Sequence, residues 1–396
     1  MIREHFDIFI SGGGIAGLIA TCAFAAKGFS VLCVDPNQPV TTSANPKADR
    51  RSTAFLQPAR RTLKAAGMWS RLARHGEALQ IMRLADAGGN QNEIRYVADF
   101  NANDVSDLPF GWNFPNWLLR RELLAQIQTL TRATFRQGIG TKRLLTRNAQ
   151  ALVTLTDDAV ISANLIIAAD GRDSPIREMV GIGAKTWRYG QKGIVFTVSH
   201  ETPHENISTE IHRTGGPFTL VPLPDNERLP QSAVVWMEAG AEAARLMDLP
   251  DIEFANEATA RSCGVVGSLT LTSRRAIWPI ISQKADRLTA ERTALIAEAA
   301  HVLPPIGAQG LNMSLIDIQT LINLSDFHEL GSEQMLTAYD RARNKDVLVR
   351  LHGIDLLNRA SLAADPNLQA IRLKGLQFLH SSITSRKLAM RAGLGG

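Results

Sequence analysis

Three glycines and one carboxylate carry the first chemistry legible in this chain. Asp7-Ile8-Phe9-Ile10 runs into Ser11-Gly12-Gly13-Gly14-Ile15-Ala16-Gly17, and after a small-residue segment comes Phe29-Ser30-Val31-Leu32-Cys33-Val34-Asp35. The pattern reads as a buried strand, a glycine turn, a helix and a second buried strand ending in a carboxylate. Gly12 permits the tight turn, Gly14 lets the backbone approach a pyrophosphate at the helix N-terminus, and Gly17 allows close packing of helix on strand. Asp35 is then placed to accept hydrogen bonds from a ribose. With the strand before it and the acid after it, the G-x-G-x-x-G becomes a specific signal.

A second spacing suggests chemistry and is refused. His200-Glu201-Thr202-Pro203-His204 matches the H-E-x-x-H of zinc peptidases, which need both histidines on one helical face. Pro203 blocks that helix, since it removes a donor and clashes with the preceding turn at about 3 kcal/mol or more. Ile194-Val195-Phe196-Thr197-Val198 before it is strand-like, so the motif falls in a turn at a strand end, and no metal site is expected.

The elements that must position these residues follow from patterning. Ile8 to Ala26 carries no charge, but three successive glycines at a helix centre, each worth about 1 kcal/mol against alanine, exclude a membrane span. Arg3, Glu4 and Asp7 before the apolar run, with no cleavage region after it, exclude a secretory signal. A helix is expected around Ser52–Ala66, a strand hairpin over Ile81–Phe100 turning at Gly88-Gly89-Asn90, and an aromatic loop from Trp112 to Trp117 leading into a helix Arg120–Leu130. Strands are expected at Ala151–Leu155, Ala159–Ile161 and Leu165–Ala169, and again at Ala294–Ala297. A helix begins near Leu311. Alternation from Gly193 to Glu238 predicts an antiparallel sheet with one covered face. Parallel-type strands on both sides of that block predict an α/β nucleotide-binding domain interrupted by a second domain.

Composition fits an enzyme of that kind. A chain of 396 residues, 45% hydrophobic and 20% charged, is long enough for two cores. Cys22, Cys33 and Cys263 are odd in number and far apart, which points to a reducing compartment and away from a disulfide scaffold or zinc cluster. A net charge of +5 without aromatic-basic interleaving suits anionic cofactors or a membrane surface and excludes nucleic acid as a partner.

Three further motifs narrow the reading. They are Asp49-Arg50-Arg51-Ser52-Thr53-Ala54, then Ala169-Asp170-Gly171-Arg172-Asp173-Ser174-Pro175-Ile176-Arg177, then Glu298-Ala299-Ala300-His301 with Pro304-Pro305, Gly307-Ala308-Gln309-Gly310-Leu311-Asn312 and Asp317. With the opening motif they resemble the FAD-dependent aromatic monooxygenases of the para-hydroxybenzoate hydroxylase type, and most closely their ubiquinone-biosynthesis hydroxylase branch. The likeness runs over nearly the whole chain.

The resemblance implies a Rossmann-type FAD-binding domain over residues 1–78, 112–180 and 288–330. It further implies an antiparallel-sheet substrate domain over 79–111 and 181–287, and a C-terminal helical region over 331–396. It implies FAD contacts at Gly12, Gly14, Gly17 and Asp35, at Arg51 through the pyrophosphate, and at Asp170 near the ribityl or pyrophosphate region. Arg121 is a second flavin contact, with Arg120 as its rival. Pro305, Gly310, Leu311 and Asn312 match the loop lining the isoalloxazine, where a helix N-terminus would stabilise negative charge. Where the family has Gly-Asp-Ala-Ala-His, this chain has Ala297-Glu298-Ala299-Ala300-His301, so Glu298 replaces the aspartate of the ribityl contact. His301 is read equally as a structural cap or a flavin neighbour.

The implied activity is hydroxylation of a polyprenylated phenol by O2 through a flavin C4a-hydroperoxide, with NAD(P)H or a protein reductant as electron donor. No general base is named, because such chemistry needs the cofactor more than a triad. A cytoplasmic location follows, peripheral on the inner face of the membrane, with the membrane surface and quinone-synthesis proteins as partners. The alternatives are another hydroxylase of the same fold, a halogenase, a prenyl-chain reductase, or a flavin-binding or flavin-free scaffold of a quinone-synthesis complex. Trp112-Asn113-Phe114-Pro115-Asn116-Trp117 lacks the halogenase Trp-x-Trp-x-Ile-Pro spacing. The acid-free stretch after Asp365 reads as a helical pair covering the flavin domain, with a basic edge suited to anionic lipid.

Overall fold

A computed structural model describes residues 4–88, 93–226 and 229–394. Strand Glu4–Ser11 lies at the centre of an eight-stranded sheet, between Val31–Asp35 and Val160–Ala168 and parallel to both. Ala133–Gln137 extends the sheet in parallel beyond Val31–Asp35, and Thr293–Leu295 does so beyond Val160–Ala168. Ile8, Phe9 and Ile10 are buried on both faces, as expected of a strand inside a covered parallel sheet. Helix Ile15–Ala26 is sandwiched between this sheet and the helices Asn116–Ile127 and Gln309–Leu324, with residues 15–25 all buried. That explains the uncharged stretch: the helix has no solvent side for a charge to occupy.

A nine-stranded sheet forms the second layer system. Its long strand Ala184–His200 pairs antiparallel with Leu229–Ala239 on one side and with Ala276–Ala285 on the other. Pro217–Asn226 and Ile207–His212 continue it, the latter lying parallel to Ile81–Asp86, which forms an antiparallel hairpin with Tyr96–Asn101. Gly89 and Asn90 of the expected hairpin turn lie outside the described residues. Ile194, Phe196, Phe218 and Trp236 form its core with Phe254 of the helix Asp251–Arg261.

Four local expectations are corrected. Ser52–Leu56 is a strand, and the helix starts only at Gln57 with Pro58 in its first turn. The Trp112–Trp117 segment is strand Gly111–Pro115, paired with both Ser52–Leu56 and Glu77–Leu79 in a three-stranded sheet, and the next helix starts at Asn116. Aromatic and β-branched residues suit such a paired ribbon, and Gly111 allows it, since a Cβ there would overlap the Phe55 carbonyl. Val160–Ala168 is one continuous strand through Ser162 and Asn164. The C-terminal helices Pro366–Ser381 and Ile383–Leu394 cover the Tyr96–Asn101 edge of the nine-stranded sheet, not the eight-stranded sheet expected to carry the flavin. There Tyr96 donates to His380 Nδ1 at 3.0 Å, and Met390 is buried with Phe100 and Phe110.

Asp317, fully buried on helix Gln309–Leu324, joins the layers. Its carboxylate accepts from His301 Nε2 at 2.8 Å, from the Ala297 N–H at 3.1 Å and from Arg343 Nε at 2.7 Å, and Arg343 also donates to Asp346 at 2.5 Å. Burial alone would raise this carboxyl, but the His301 ring and the Arg343 guanidinium outweigh it and hold it below the ordinary range. Its ion pair with Arg343 is therefore intact at neutral pH and is lost only as pH falls through that lowered value. Asp317→Asn removes the fully buried half of Arg343's counter-charge, leaving only Asp346 at the helix edge, and should lower unfolding free energy by about 3–5 kcal/mol at neutral pH. Asp326→Asn removes an exposed pair to Lys27 at 2.7 Å and should change it by ~1 kcal/mol or less. Urea unfolding followed by tryptophan fluorescence separates the two, and equal midpoints would refute the role given to Asp317.

Candidate functional site

The glycine turn is built by contact as well as by backbone angle. Gly12 has a φ of +107°, and a Cβ on it would overlap the Ala169 carbonyl, while one on Gly17 would overlap the Gly12 carbonyl. Gly14 faces open space and heads a helix whose first-turn N–H groups receive no side-chain cap. Uncapped donors beside an open glycine fit the pyrophosphate of a dinucleotide. Asp35 accepts from the Gly13 N–H at 2.7 Å and from the Asn37 N–H at 2.8 Å, so its carboxylate clamps the turn from the second strand. Burial pushes the Cys22 and Cys33 thiols behind this turn up to about 12, which makes them inert packing groups at neutral pH.

A second motif gathers around Asp49. Its carboxylate takes both arms of Arg51, Nε at 2.9 Å and Nη2 at 2.8 Å, together with the Asn116 amide at 3.1 Å and Arg120 Nη2 at 3.5 Å. Burial would raise the Asp49 carboxyl, but Arg51, Asn116 and Arg120 hold it lower than usual. The Arg51 guanidinium also lies 4.9 Å from the ring centroid of Trp278, which reaches over from the nine-stranded sheet. Arg121 is elsewhere: it donates to Glu122 at 2.9 Å and stacks at 5.5 Å on Trp117. The structure thus brings Arg120, not Arg121, to Arg51.

The Asp170 turn adjoins the glycines through Ala169. Asp170 accepts from the Ser174 hydroxyl and from the Ile176 N–H at 3.0 Å, capping the short helix Pro175–Met179. Burial raises its carboxyl, and these hydrogen bonds only partly oppose the rise. Arg177 ties this turn to the last motif, donating to Arg172 O at 2.8 Å and to Ala299 O at 2.9 Å, and Arg172 approaches Glu298 at 3.7 Å. Burial works against the charge on Arg51, but Asp49 chiefly, and Glu298 more weakly, outweigh it. The three distant motifs therefore meet electrostatically.

Ala297, where the family pattern has glycine, holds a φ of +54°, and Ala308 ahead of helix Gln309–Leu324 holds +55°. Both are left-handed alanines, each strained by roughly 1–2 kcal/mol. Pro305 is exposed on this loop, and in the first turn of the helix Gly310 is exposed and Leu311 half-buried. The helix after it has no side-chain cap. Asn312 points inward, accepting from the Leu56 N–H at 2.9 Å and donating to Ala54 O at 2.8 Å and Ala308 O at 2.6 Å, so it fixes the loop to the small sheet. His301 is a structural partner of Asp317, as its burial shows. His200, from the refused zinc spacing, ends its strand with Nδ1 2.8 Å from Thr202 O and Nε2 3.0 Å from the Ser232 hydroxyl. Trp278 and Arg120 carry more of the site than the sequence indicated. The sequence leaves Arg120 and Arg121 as alternatives on one helix, and only the contact with Asp49 selects Arg120; Trp278 has no local signal.

Residues 5–348 match the family model described as FAD binding domain. The chain is 30% identical over 394 residues to ubiquinone hydroxylase UbiL of Rhodospirillum rubrum, an alignment covering 98% of this chain and 89% of that protein. It is 25% identical over 403 residues to 3-demethoxyubiquinol 3-hydroxylase of Escherichia coli, covering 100% of both. Among solved structures, p-nitrophenol 4-monooxygenase PnpA from Pseudomonas putida matches with a TM-score of 0.80 at 16% identity, over 100% of this chain and 99% of that one. That likeness carries the fold.

Two outcomes are expected of variants. Arg51→Glu and Arg120→Ala should lower the flavin content of the purified protein about tenfold, in line with loss of a charge-assisted contact. Arg121→Ala and the surface change Arg71→Glu should leave it unchanged. The visible absorbance of each variant, normalised to protein, reads this, and equal content in all four would remove Arg51 and Arg120 from the site. Ala297→Gly relieves a left-handed alanine and should stabilise the fold by about 0.5–1 kcal/mol net of the entropy glycine adds to the unfolded chain, read as a raised melting temperature.

Proposed function

The chain belongs to the FAD binding domain family, and from that premise we propose an FAD-dependent monooxygenase that hydroxylates the aromatic ring of a polyprenylated phenol in ubiquinone biosynthesis. What carries this reading is the extent of the likeness to the two hydroxylases, which spans both large sheets and so includes the substrate side as well as the dinucleotide side. The flavin, when bound, supplies the two-electron relay from NAD(P)H and the activation of O2 for transfer of one oxygen atom to the ring.

The chain's own part is binding, positioning and exclusion of water. The N–H groups at Gly14 and the start of the first helix, with Arg51 and Arg120, would hold the pyrophosphate, and Asp170 and Glu298 would accept from the ribityl hydroxyls. The uncapped N–H groups heading helix Gln309–Leu324 would stabilise negative charge on the flavin ring. Met237 and Ile280 of the nine-stranded sheet pack with Ile306 of the loop and with Ile354, giving an apolar junction where an aromatic ring can be kept from bulk water. A substrate with a polyprenyl tail resides in a bilayer, so the reading extends to work at a membrane surface beside other quinone-synthesis proteins. Among the described residues no helix is long and apolar enough to cross a membrane.

Purified protein loaded with FAD should oxidise NAD(P)H in a phenol-stimulated, O2-dependent way and place one atom of isotopically labelled O2 in the product. Cells lacking it should accumulate an under-hydroxylated prenylphenol. Bound flavin with no oxygen-dependent turnover, together with normal quinone intermediates in such cells, would replace the enzyme with a scaffold.

A further inference from the structure

The C-terminal hairpin has two chemically different sides. Inward, Arg372 donates to the buried Asp86 at 2.9 Å, Arg386 lies 3.9 Å from Asp104, and Met390 is buried. Outward, Leu368, Ile371, Lys374 and Phe378 follow at intervals of three, three and four residues, which puts them on one helical face. Ile371 is 64% exposed, Phe378 71% and, on the last helix, Leu388 71%. Several large apolar side chains this exposed on two packed helices mark a contact surface.

Charge selects what meets it. After Asp365 there is no acidic residue, and with Arg372 and Arg386 turned inward, Lys374, Lys387 and Arg391 have no ion pair among the described residues. An apolar face edged by unpaired cations and free of carboxylates complements an anionic lipid surface. A second copy of the same face would set cation against cation. The hairpin also ends at the candidate flavin loop, where Gln309 donates to Gly393 O at 3.1 Å and accepts from Arg350 at 2.9 Å. We propose that the outer face of helices Pro366–Ser381 and Ile383–Leu394 is a docking surface for an anionic bilayer, seating the membrane beside the Gln309 loop so that the ring of an embedded prenylphenol enters without extraction of its tail. The second half of that statement rests on the proposed substrate class; the docking itself does not.

FAD-loaded full-length protein is sedimented with vesicles of phosphatidylcholine alone or with phosphatidylglycerol, at low and high salt. Binding is expected to the anionic vesicles only and to weaken with salt. Each cation at the surface is worth about fivefold in partitioning, so removing the exposed Lys374 and Arg391 and the half-buried Lys387 in K374S/K387S/R391S should lose on the order of 100-fold. I371S/F378S/L388S should lose binding as well, both variants keeping wild-type flavin content and melting temperature. Absence of binding, equal binding to both vesicle types, or triple variants that bind like wild type would overturn docking. So would loss of a wild-type dimer in I371S/F378S/L388S without any vesicle effect, which would make the face a self-contact. Turnover of a short-chain, water-soluble phenol without vesicles separates the two readings. If it fails, the activity is wrong while docking stands on sedimentation; if it persists while vesicle binding is absent, docking alone is wrong.

Discussion

Asp317 sits where the edge strand at His301, the turn at Ala297, helix Gln309–Leu324 and helix Glu333–Leu362 meet, and the frame of the site depends on its charge. A carboxylate without water must be matched donor for donor, and here an imidazole, a backbone amide and a guanidinium do so. The left-handed turn at Ala297 is held from beneath by one of these bonds, so the Glu298 side chain faces outward while its backbone is fixed. Arg343 anchors the helix that runs on to Tyr189's partner Asp355 and then to the C-terminal hairpin. The loop before Gln309, the nine-stranded sheet and the C-terminal surface are thereby referred to one buried point.

The parts legible in the sequence are those whose determinants lie close together along the chain. The strand, glycine turn, helix and acid from Asp7 to Asp35 each depend on neighbours within that stretch, so their order alone specified the turn that Gly12 and Gly17 now close. The refused zinc spacing was equally local, since Pro203 decides it. The small sheet was missed because Gly111–Pro115 becomes a strand only through partners at Ser52–Leu56 and Glu77–Leu79. Pro115, which suggested a loop, is where that strand ends. Arg120 and Arg121 are neighbours about 100° apart on one helix, and only the folded partners separate them, Asp49 for Arg120 and Glu122 with Trp117 for Arg121. The cation–aromatic contact of Arg51 with Trp278 joins two sheets and has no sequence shadow.

Strain and flexibility are distributed unevenly around the site. The dinucleotide side is close-packed backbone on backbone, with glycines where a methyl group would collide. The opposite loop instead keeps two left-handed alanines beside an uncapped helix start. Such conformations persist only when their surroundings over-determine them. Asp317 and Asn312 provide that constraint, one from the helix core and one from the small sheet.

The central position of strand Glu4–Ser11 also governs how the molecule is made. One neighbour, Val31–Asp35, leaves the ribosome soon after it, but Val160–Ala168 comes much later and Thr293–Leu295 later still. At roughly 5–20 residues per second, the uncharged helix Ile15–Ala26 and an open parallel edge await their covering segments for many seconds. The nascent chain therefore exposes apolar surface and an unpaired strand edge first and longest. The same interleaving that lets distant motifs converge makes the newborn protein dependent on shielding until its last sheet strand is synthesised.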